Sequence, residues 1–242
     1  MLPPPMRALA ILPTYDEADN VLAVAGGVLA QDAALEVLVV DDNSPDGTGD
    51  LVERAAKSES RLHLLRRPGK LGLGTAYLAG FRYALDADYA LVLTMDCDGS
   101  HNPRYLPQML AAAEQADLVI GSRYVAGGSL VNWPWHRRLL SRFANFYTRV
   151  LLHVPTHDCT AGFRCYRRQV LETVNPFTIR GSGYSFLEEM VYRVHHAGFR
   201  IAEIPIVFEQ RTHGVSKIDE REIYRTAWHV LVTAIRRPDP RG

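Results

Sequence analysis

The sequence at residues 91–101 is L-V-L-T-M-D-C-D-G-S-H, in which a short apolar run leads directly into two acids, Asp96 and Asp98. Because the run is short and follows the turn-like pair Ala87-Asp88, it predicts a buried strand rather than a helix. Ligands of a parallel α/β sheet bind beyond the carboxyl ends of its strands. Two carboxylates there repel each other unless a cation lies between them, and their hard oxygens suit Mg²⁺ or Mn²⁺. The alternative is a turn whose acids cap a helix starting at Pro103, and D-x-D alone is too short to exclude it.

Strands and helices alternate along the first half of the chain. The sequence predicts strands at 7–12, 35–40, 61–66, 89–95 and 117–121. Between them it predicts helices at 20–29, from just after the turn 41–48 to about Lys57, at 75–85 and at 103–113. This alternation is typical of βαβ units and predicts an α/β fold with a mostly parallel sheet flanked by helices. Right-handed crossovers then place the strand ends along one edge of the sheet.

The second half of the chain has a different pattern. It predicts a long amphipathic segment at 139–154, a strand at 163–167, a helix at 185–196, a strand at 200–208 and a closing helix at 218–235.

Composition limits the class of protein. The chain has 242 residues, 47% of them apolar, and a formal net charge of zero, so its charge gives no indication of nucleic-acid binding. Three cysteines, without a C-x-x-C pair, favour a reducing compartment. The start M-L-P-P-P-M-R is too short and proline-rich for a signal peptide, and no run approaches the roughly 18 apolar residues of a membrane span. We therefore expect a cytoplasmic protein, peripheral at the cytoplasmic face of a membrane if it contacts one.

Polar turns follow the predicted strands. They contain Pro13, Tyr15 and Glu17; Asp41, Asp42, Ser44 and Asp46; Lys70 among glycines; and Asp96 and Asp98. Capping and turn formation account for Asp46, Thr48 and Asn102. Local structure does not account for the convergence of the others on one edge, which indicates a nucleotide site. The chain lacks G-x-x-x-x-G-K-[ST], and no strand turn carries G-x-G-x-x-G, which disfavours ATPases and dinucleotide-dependent dehydrogenases.

An ordered set of motifs gives a closer resemblance. They are P-T-Y-D-E (13–17), V-D-D-N-S-P-D-G-T (40–48), K-L-G-L-G-T-A-Y (70–77), M-D-C-D-G-S-H-N-P (95–103), G-S-R-Y (121–124), W-P-W-H-R-R-L-L-S-R (133–142), D-C-T-A-G-F-R (158–164) and F-E-Q-R-T-H-G-V-S-K (208–217). Over roughly residues 6–220 the chain resembles family 2 inverting glycosyltransferases with a GT-A fold, and among them the dolichol- and polyprenol-phosphate mannose synthases. The last motif, F-x-x-R-x-x-G-x-S-K, is the most specific. The resemblance implies one domain over 1–242, with a nucleotide-sugar-binding half (6–125) and an acceptor-binding half with amphipathic helices (126–242).

The resemblance also implies roles for individual residues. The donor would be GDP-mannose, whose guanosine and diphosphate would lie against Pro13, Tyr15, Glu17, Val40, Asp41, Asp42, Asp96, Cys97 and Asp98. Asp96 and Asp98 would bind a divalent cation, Mg²⁺ or Mn²⁺, with Ser100 as a further polar neighbour. The donor diphosphate and the phosphate of a polyprenyl phosphate acceptor would contact Arg123, Arg137, Ser141, Arg211 and Lys217. The residues expected to carry catalysis are Asp98, Arg123, Arg211 and Lys217.

The chemistry of these side chains agrees with such roles. The planar fork of Arg makes paired bonds to phosphate, and Lys offers a point charge. Arg211 and Lys217 flank Gly214, which would let both basic groups close on one anion. The chain departs from the family pattern at Cys97, where alanine is usual, and at Cys159 and Ala161, where the pattern is D-P-T-S-G-F-R. The role of Asp158 in that stretch stays open.

The 139–154 segment has two faces. Leu139, Phe143, Phe146, Val150 and Val154 share one, and Arg138, Arg142 and Arg149 share another. Such a helix either lies in a membrane interface or packs on the core. Trp133 and Trp135 favour the interface, where indoles find a half-wet setting. The closing helix either docks similarly or packs through Ile223, Ala227, Val230, Leu231 and Ile235.

Three functions follow. The first is transfer of mannose from GDP-mannose to polyprenyl phosphate at a membrane surface, with a separate membrane-anchoring protein as a further expected partner. The second keeps the enzyme class but uses a UDP-sugar donor (UDP-glucose or UDP-N-acetylglucosamine) or a sugar-hydroxyl acceptor. A hydroxyl acceptor needs a carboxylate base, for which Glu188 and Asp158 are candidates. The third is a non-catalytic nucleotide-sugar-binding module. His101 lies nearest the expected metal, and we interpret it as supporting the acids or the local structure.

Overall fold

The computed structural model describes residues 7–179, 181, 183–209 and 220–241. Within these ranges the strands are β1 (Ala8–Thr14), β2 (Leu35–Asp41), β3 (Leu62–Arg66), β4 (Leu91–Thr94), β5 (Leu118–Ser122), β6 (Ser129–Val131), β7 (Arg164–Arg167), β8 (Ile201–Pro205) and β9 (Val207–Glu209). The α-helices are α1 (Val21–Leu29), α2 (Thr48–Ala56), α3 (Leu73–Asp86), α4 (Leu106–Ala112), α5 (Trp135–Leu152), α6 (Arg168–Val174), α7 (Tyr184–His196) and α8 (Glu220–Arg236). Short 3-10 turns lie at Pro103–Tyr105 and Pro176–Thr178.

Seven of the described strands form one sheet in the order β3-β2-β1-β4-β7-β5-β8. All neighbouring pairs in it are parallel except those made by β7, which runs antiparallel to both β4 and β5. The expected mostly parallel sheet flanked by helices is confirmed. What the sequence pattern did not show is that the strand at 163–167 enters the sheet between two strands of the first half.

The core lies on both faces of this sheet because the strands are apolar on both sides. In β1, Leu9 and Ile11 face one cluster, while Ala8, Ala10 and Leu12 face the other. The first cluster is completed by α3, α6 and α7, and α8 adds Val230. The second is completed by α1, α2 and α4. Period-two alternation of wholly apolar side chains is what a central parallel strand requires.

The prediction of one continuous strand at 200–208 is wrong. The segment divides into β8, which pairs with β5 in the main sheet, and β9, which pairs with β6 in a separate two-stranded sheet. The division falls at Ile206. Its amide donates to the carbonyl of Ser122 in β5 at 3.0 Å, and its carbonyl accepts from the amide of Ser129 in β6 at 3.0 Å. The short strand β6 was not predicted.

Helix boundaries differ from the predictions by a few residues. The helix predicted at 103–113 begins as a 3-10 turn, with Asn102 capping it through a bond from the Arg104 amide at 3.0 Å. The 139–154 segment begins earlier, at Trp135, and ends at Leu152, because His153 has a left-handed backbone (φ 53°). Val154 therefore lies beyond the end of the helix, where it is buried, and does not belong to the apolar helix face predicted to contain it. No helix in the described ranges is both long and apolar enough to cross a membrane.

Candidate active site

The carboxyl ends of β1, β2, β4 and β5 lie along one edge of the sheet: the first three strands pair in parallel, and β5 shares their direction because β7 is antiparallel to both β4 and β5. Backbone amides join the first two of these ends. The amides of Asp16, Glu17 and Ala18 donate in turn to Ser44 Oγ (3.2 Å), Thr48 Oγ1 (3.1 Å) and an Asp46 carboxylate oxygen (2.9 Å). Asp46 also accepts from the Thr48 amide and hydroxyl, which confirms it as a turn residue. Thr48 is not a helix cap as predicted: it is the first residue of α2, and its hydroxyl binds the β1 loop.

The acids Asp41 and Asp42 are both buried, and each has partners inside the protein. Asp41 accepts from Thr14 Oγ1 at 3.1 Å and from Ser44 Oγ at 2.5 Å. Asp42 accepts from Arg67 Nε at 2.5 Å and from the Leu71 amide at 3.1 Å. Asp42 therefore fixes the glycine-rich loop after β3 to the end of β2.

The predicted donor residues divide by exposure. Val40 and Asp41 are fully buried, and Cys97 lies in the core with a thiol pKa raised by burial. These three side chains lie beneath the edge, and the assignment of Val40, Asp41 and Cys97 to the nucleotide stays a prediction. The side chains that present surface at this edge belong to Pro13, Tyr15, Glu17 and Asp96.

The ring of Tyr15 is covered on one side by Lys70. The ammonium of Lys70 lies 4.1 Å from the ring centroid, a distance at which a cation is attracted to an aromatic face. Lys70 belongs to the glycine-rich loop that Asp42 holds. The aromatic and basic groups expected for a nucleotide site are therefore adjacent, although the strand ends that carry them are far apart in sequence.

Asp96 and Asp98 follow β4 and have different surroundings. Asp98 is buried and accepts from the amide of Ser100 at 3.0 Å and from its hydroxyl at 2.5 Å. The Asp96 side chain is 31% exposed, and the hydroxyl of the buried Tyr77 lies 3.5 Å from one of its oxygens. Ser100, predicted as a polar neighbour of the metal, is placed where it orients Asp98.

His101 acts on the same turn from behind. The backbone amide of Asp96 donates to His101 Nδ1 at 2.8 Å, so that nitrogen carries no proton. The ring is buried and stacks on Phe163 at 5.1 Å between centroids, with the edge of Phe208 5.4 Å away. His101 therefore fixes the backbone of Asp96, in agreement with its interpretation as a supporting residue.

The two acids fit a divalent cation that is shared with a substrate. Among the residues that the structure describes, no three or more His, Cys, Asp or Glu side chains are arranged to hold a metal ion. Two aspartates separated by one residue, with one side chain partly open to solvent, supply hard oxygen ligands on one side only. Mg²⁺ is commonly held in this way, by one or two carboxylates together with substrate phosphates.

Arg123 follows β5 and is clamped by Asp158. Its Nε and Nη2 donate to the two carboxylate oxygens of Asp158 at 2.7 and 2.6 Å, and its amide donates to the same carboxylate at 2.9 Å. Nη2 also donates to Thr160 Oγ1 at 2.7 Å. Both members of the ion pair are buried, so the pair holds one edge of the guanidinium in a fixed direction. The open question about Asp158 is thereby answered in structural terms.

The predicted acceptor residues Arg137 and Ser141 lie near the start of α5. Arg137 stacks on the indole of Trp133, with its guanidinium carbon 4.0 Å from the ring centroid. Ser141 Oγ accepts from the hydroxyl of Tyr124 at 2.7 Å, which joins the loop after β5 to the helix. Arg211, Lys217 and Gly214 lie outside the described residues.

Neither carboxylate proposed as a general base is placed to serve as one. Asp158 is fully buried and bound to Arg123. Glu188 lies inside the protein between α5 and α7, accepting from Thr148 Oγ1 at 3.0 Å, and burial raises its pKa to about 8. The structure therefore removes the basis for a hydroxyl acceptor activated by either residue.

Several supporting residues were not identified from sequence: Arg67, Tyr77, Asn145, Arg164 and Glu203. Each is a polar residue in a helix, strand or loop, and each has at least one hydrogen-bond partner 14 or more residues away in sequence. Arg67 had one signal, its position directly after the third strand. Arg164 ends the D-C-T-A-G-F-R motif, but the motif gave it no role: it is fully buried and donates to the carbonyls of Cys159, Ala161 and Leu187 at 2.7–2.8 Å.

The fold and this edge define a glycosyltransferase of the GT-A class. Residues 9–174 match the model of the family described as Glycosyl transferase family 2. The chain belongs to glycosyl transferase family 2, as its motifs predicted.

Curated relatives extend the match over nearly the whole chain. It is 45% identical over 235 residues to polyprenol monophosphomannose synthase of Mycolicibacterium smegmatis, covering 96% of this chain and 89% of that protein. It is 44% identical over 213 residues to undecaprenyl-phosphate mannosyltransferase of Micrococcus luteus, covering 88% of each.

Solved structures share the fold at lower identity. Glucosyl-3-phosphoglycerate synthase of Mycobacterium tuberculosis, crystallised with Mn²⁺, UDP and glucosyl-3-phosphoglycerate, superposes with a TM-score of 0.66 at 19% identity, covering 96% of this chain and 80% of that one. A mannosyltransferase from Pyrobaculum calidifontis in complex with GDP-Man and Mn²⁺ gives 0.56 at 18%, covering 95% and 73%. The predicted GT-A fold is confirmed.

Proposed function

We propose that this protein transfers mannose from GDP-mannose to a polyprenyl phosphate, with inversion, giving a β-linked polyprenyl-phosphate mannose. The observation that carries the proposal is the 45% identity, over 96% of the chain, with a polyprenol monophosphomannose synthase. The geometry is consistent with it. Groups suited to a nucleoside lie at the ends of β1 and β2, two acids follow β4, and an oriented guanidinium follows β5.

The chain's own residues have distinct tasks in this reaction. Tyr15 and Glu17 offer surface to the nucleoside, and Asp42 holds the loop that carries Lys70 over Tyr15. A divalent cation held by Asp96 and Asp98 would offset the charge of the departing diphosphate. His101 and Ser100 keep those two acids in place.

The acceptor needs no general base in this scheme. A phosphate monoester is already anionic near neutral pH, so its oxygen attacks the anomeric carbon directly while the bond from that carbon to the diphosphate oxygen breaks. Arg123 and Arg137, with Arg211 and Lys217, would hold two anionic groups that otherwise repel each other. The burial of Asp158 and Glu188 agrees with a mechanism in which neither abstracts a proton.

A membrane surface is the setting that the outer helices favour. Large apolar side chains on both helices are more than half exposed. On α5 they are Trp135, Leu139, Phe143, Phe146 and Val150, and on α8 they are Tyr224, Trp228 and Ile235. We call these residues the apolar surface of α5 and α8. The two helices are joined by a bond from the Tyr147 hydroxyl to the Ala227 carbonyl at 3.1 Å. Arg138 and Arg142 are exposed on α5, so the surface combines apolar side chains with positive charge, as interfacial helices do.

A transfer assay tests the proposal. Purified protein is incubated with labelled GDP-mannose, Mg²⁺ or Mn²⁺ and a short polyprenyl phosphate in detergent, with and without EDTA. Cation-dependent label in the lipid phase is the expected result. Transfer only from UDP-glucose or UDP-N-acetylglucosamine would overturn the mannose assignment. Nucleotide binding without transfer from any donor, with or without added membranes, would favour the binding module.

The metal assignment has its own variant. Asp98→Asn keeps the side-chain size but removes a charge, and we expect turnover to fall roughly a hundredfold or more. Glu36→Gln is the matched control, because Glu36 also accepts bonds from several side chains but does so at the amino end of β2. Normal turnover in Asp98→Asn, with Mn²⁺ affinity unchanged in a titration followed by electron paramagnetic resonance, would contradict the assignment.

A further inference from the structure

Four consecutive backbone amides in the 157–160 loop are bound by only two side chains. The amides of His157 and Asp158 donate to the two oxygens of Glu203, at 2.8 and 2.9 Å. The amides of Cys159 and Thr160 donate to Asn145 Oδ1, at 2.7 and 3.3 Å. Glu203 belongs to β8 and Asn145 to α5, so the loop is held from two elements that the sequence places on either side of it.

The same loop supplies three oxygens that accept from the Nε–Nη2 edge of Arg123. Both carboxylate oxygens of Asp158 accept hydrogen bonds from the guanidinium, and Thr160 Oγ1 accepts a further one from Nη2. Asn145 reaches this set a second time, since its Nδ2 lies 3.3 Å from Thr160 Oγ1 and 2.9 Å from the carbonyl of Ser141. The direction of Arg123 thus depends on the loop, and the loop depends on Glu203 and Asn145.

The hydrogen bonds from the loop amides to Asn145 and Glu203 are costly to lose because both acceptors are largely buried. Asn145 is 3% exposed and the Glu203 side chain 10%, so water cannot readily replace either acceptor. Arg164 holds the carbonyls of Cys159 and Ala161 on the other side of the chain. With its amides and carbonyls both bound, the loop has little freedom to adjust if one acceptor is lost.

We propose that Glu203 and Asn145 are positioning residues for Arg123, acting on the reaction only through the 157–160 loop. The inference rests on the proposed function in one respect, that Arg123 orients a substrate phosphate. Displacement of a positioning group by about 1 Å costs up to roughly a hundredfold in rate. Loss of either acceptor should therefore lower transfer although neither residue contacts the substrates.

The first test uses double-mutant cycles. Glu203→Gln replaces one carboxylate oxygen by an NH₂ group, which would face a backbone N–H of the loop. Asn145→Ala removes the Oδ1 that accepts from Cys159 and Thr160. We expect each to lower kcat/KM for polyprenyl phosphate about tenfold or more. In an Arg123→Ala background the same changes should lower it less than about twofold, because the group they position is gone. The control Glu36→Gln should leave kcat/KM unchanged in both backgrounds.

Full, independent losses in the Arg123→Ala background would overturn the inference. Thr160→Val is the second variant should Asn145→Ala fail to fold: it removes the hydroxyl between Asn145 and Arg123 and leaves the loop amides untouched. The expected result is again a loss in the wild-type background only.

A measurement independent of transfer separates this inference from the proposed function. The Nε–H signal of Arg123 in a ¹⁵N spectrum of the whole protein can be assigned by its disappearance in Arg123→Lys. We expect Glu203→Gln and Asn145→Ala to shift it and to speed its exchange with water, and Glu36→Gln to leave it unchanged. An unaltered signal in both variants overturns the positioning role. Absence of mannose transfer by the wild-type protein, with the signal responding as expected, would reject the proposed function alone.

Discussion

At the scale of single residues, two adjacent glutamates of α7 have opposite electrostatic surroundings. Glu188 is buried with one hydrogen-bond donor, Thr148, and its Oε2 has no hydrogen-bond partner. Burial raises its pKa to about 8. Burial also acts to raise the pKa of Glu189, but bonds from His229 and Arg193 outweigh it and lower that pKa below its usual value. The contributions of Glu188 and Glu189 to the stability of the fold should therefore change with pH in opposite directions.

The raised pKa of Glu188 predicts a loss of stability at alkaline pH. The folded protein holds this proton more tightly than the unfolded chain, so the stabilisation is complete below the usual pKa of 4.5 and is lost as pH rises through about 8. Glu188→Gln cannot ionise. We expect its Tm to exceed that of the wild type at about pH 8.5 and the difference to shrink at about pH 5. Thermal unfolding followed by circular dichroism measures both.

Glu189→Gln is the matched comparison and should behave in the reverse manner. The lowered pKa of Glu189 means that its ionised form stabilises the fold above the usual value and that this contribution is lost as pH falls. Removing the charge leaves Arg193 buried without its partner, which we expect to cost about 3 kcal/mol at neutral pH. Tm changes of the same sign for both variants at alkaline pH would contradict the contrast between the two sites.

Sequence patterns find acids more readily than they find their partners. Asp96 and Asp98 were predicted as a pair because their spacing after a strand is local information. Asp42 was predicted as a nucleotide contact, yet its side chain binds Arg67 and the Leu71 amide. No pattern distinguishes an acid that faces a substrate from one that holds a loop, because the partner lies 25 or more residues away.

At the scale of elements, the packing of α3 on β1 depends on the absence of a side chain at Gly80. A Cβ there would lie 2.7 Å from two carbons of Ile11, closer than side-chain carbons approach one another. In α1 a Cβ at Gly26 would meet nothing within 4 Å. We expect Gly80→Ala to destabilise the fold by about 1–3 kcal/mol through overpacking. Gly26→Ala should stabilise it by about 0.5–1 kcal/mol through helix propensity. Urea unfolding of both variants checks the signs, and equal destabilisation would contradict the close approach.

The apolar surface of α5 and α8 gives the second prediction at this scale. Changing Phe143 and Phe146 together to Ser removes two exposed aromatic side chains, each worth about 1.5–3 kcal/mol when buried. We expect co-sedimentation with anionic lipid vesicles to weaken at least tenfold, while transfer to a short polyprenyl phosphate in detergent changes little.

The control for that experiment is Leu22→Ser. Leu22 is 40% exposed on α1, which packs on the other face of the sheet. Its replacement should leave vesicle binding unchanged. Equal binding by the Phe143/Phe146 variant and the wild type would show that this surface does not meet the lipid.

Helices and strands were predictable where apolar residues recur with a single helical or strand spacing and without interruption. The helix at 185–196 and the first five strands agree with α7 and β1–β5 to within a few residues. The strand at 200–208 was not, because its apolar pattern continues through Pro205 while its hydrogen bonds pass from one sheet to another. The choice between a core helix and an interfacial helix at 139–154 was equally beyond sequence, since both need one apolar face. The exposure of Phe143 and Phe146 now favours the interface.

At the scale of the whole molecule, β7 joins the two sequence halves. Its four residues lie between β4 and β5, with Leu93 opposite Cys165 and Val119 opposite the same residue on the other side. The first half therefore contains two strands that share a direction but do not touch in the described structure. Sequence alone predicted the strand and gave no indication of its place, because the backbone N–H and C=O groups that pair neighbouring strands are the same in every strand.

This insertion predicts that the nucleotide half cannot fold by itself. A chain ending at residue 125 would leave β4 and β5 without the ladder that links them, and it would lose α6 and α7 from the core on one face of the sheet. We expect residues 1–125 alone to show little structure by circular dichroism and poor dispersion of amide signals. The whole protein should unfold in a single transition, with fluorescence and circular dichroism coincident. A folded 1–125 fragment that binds GDP would contradict the prediction and would mean that β7 completes a sheet already formed, rather than being required to form it.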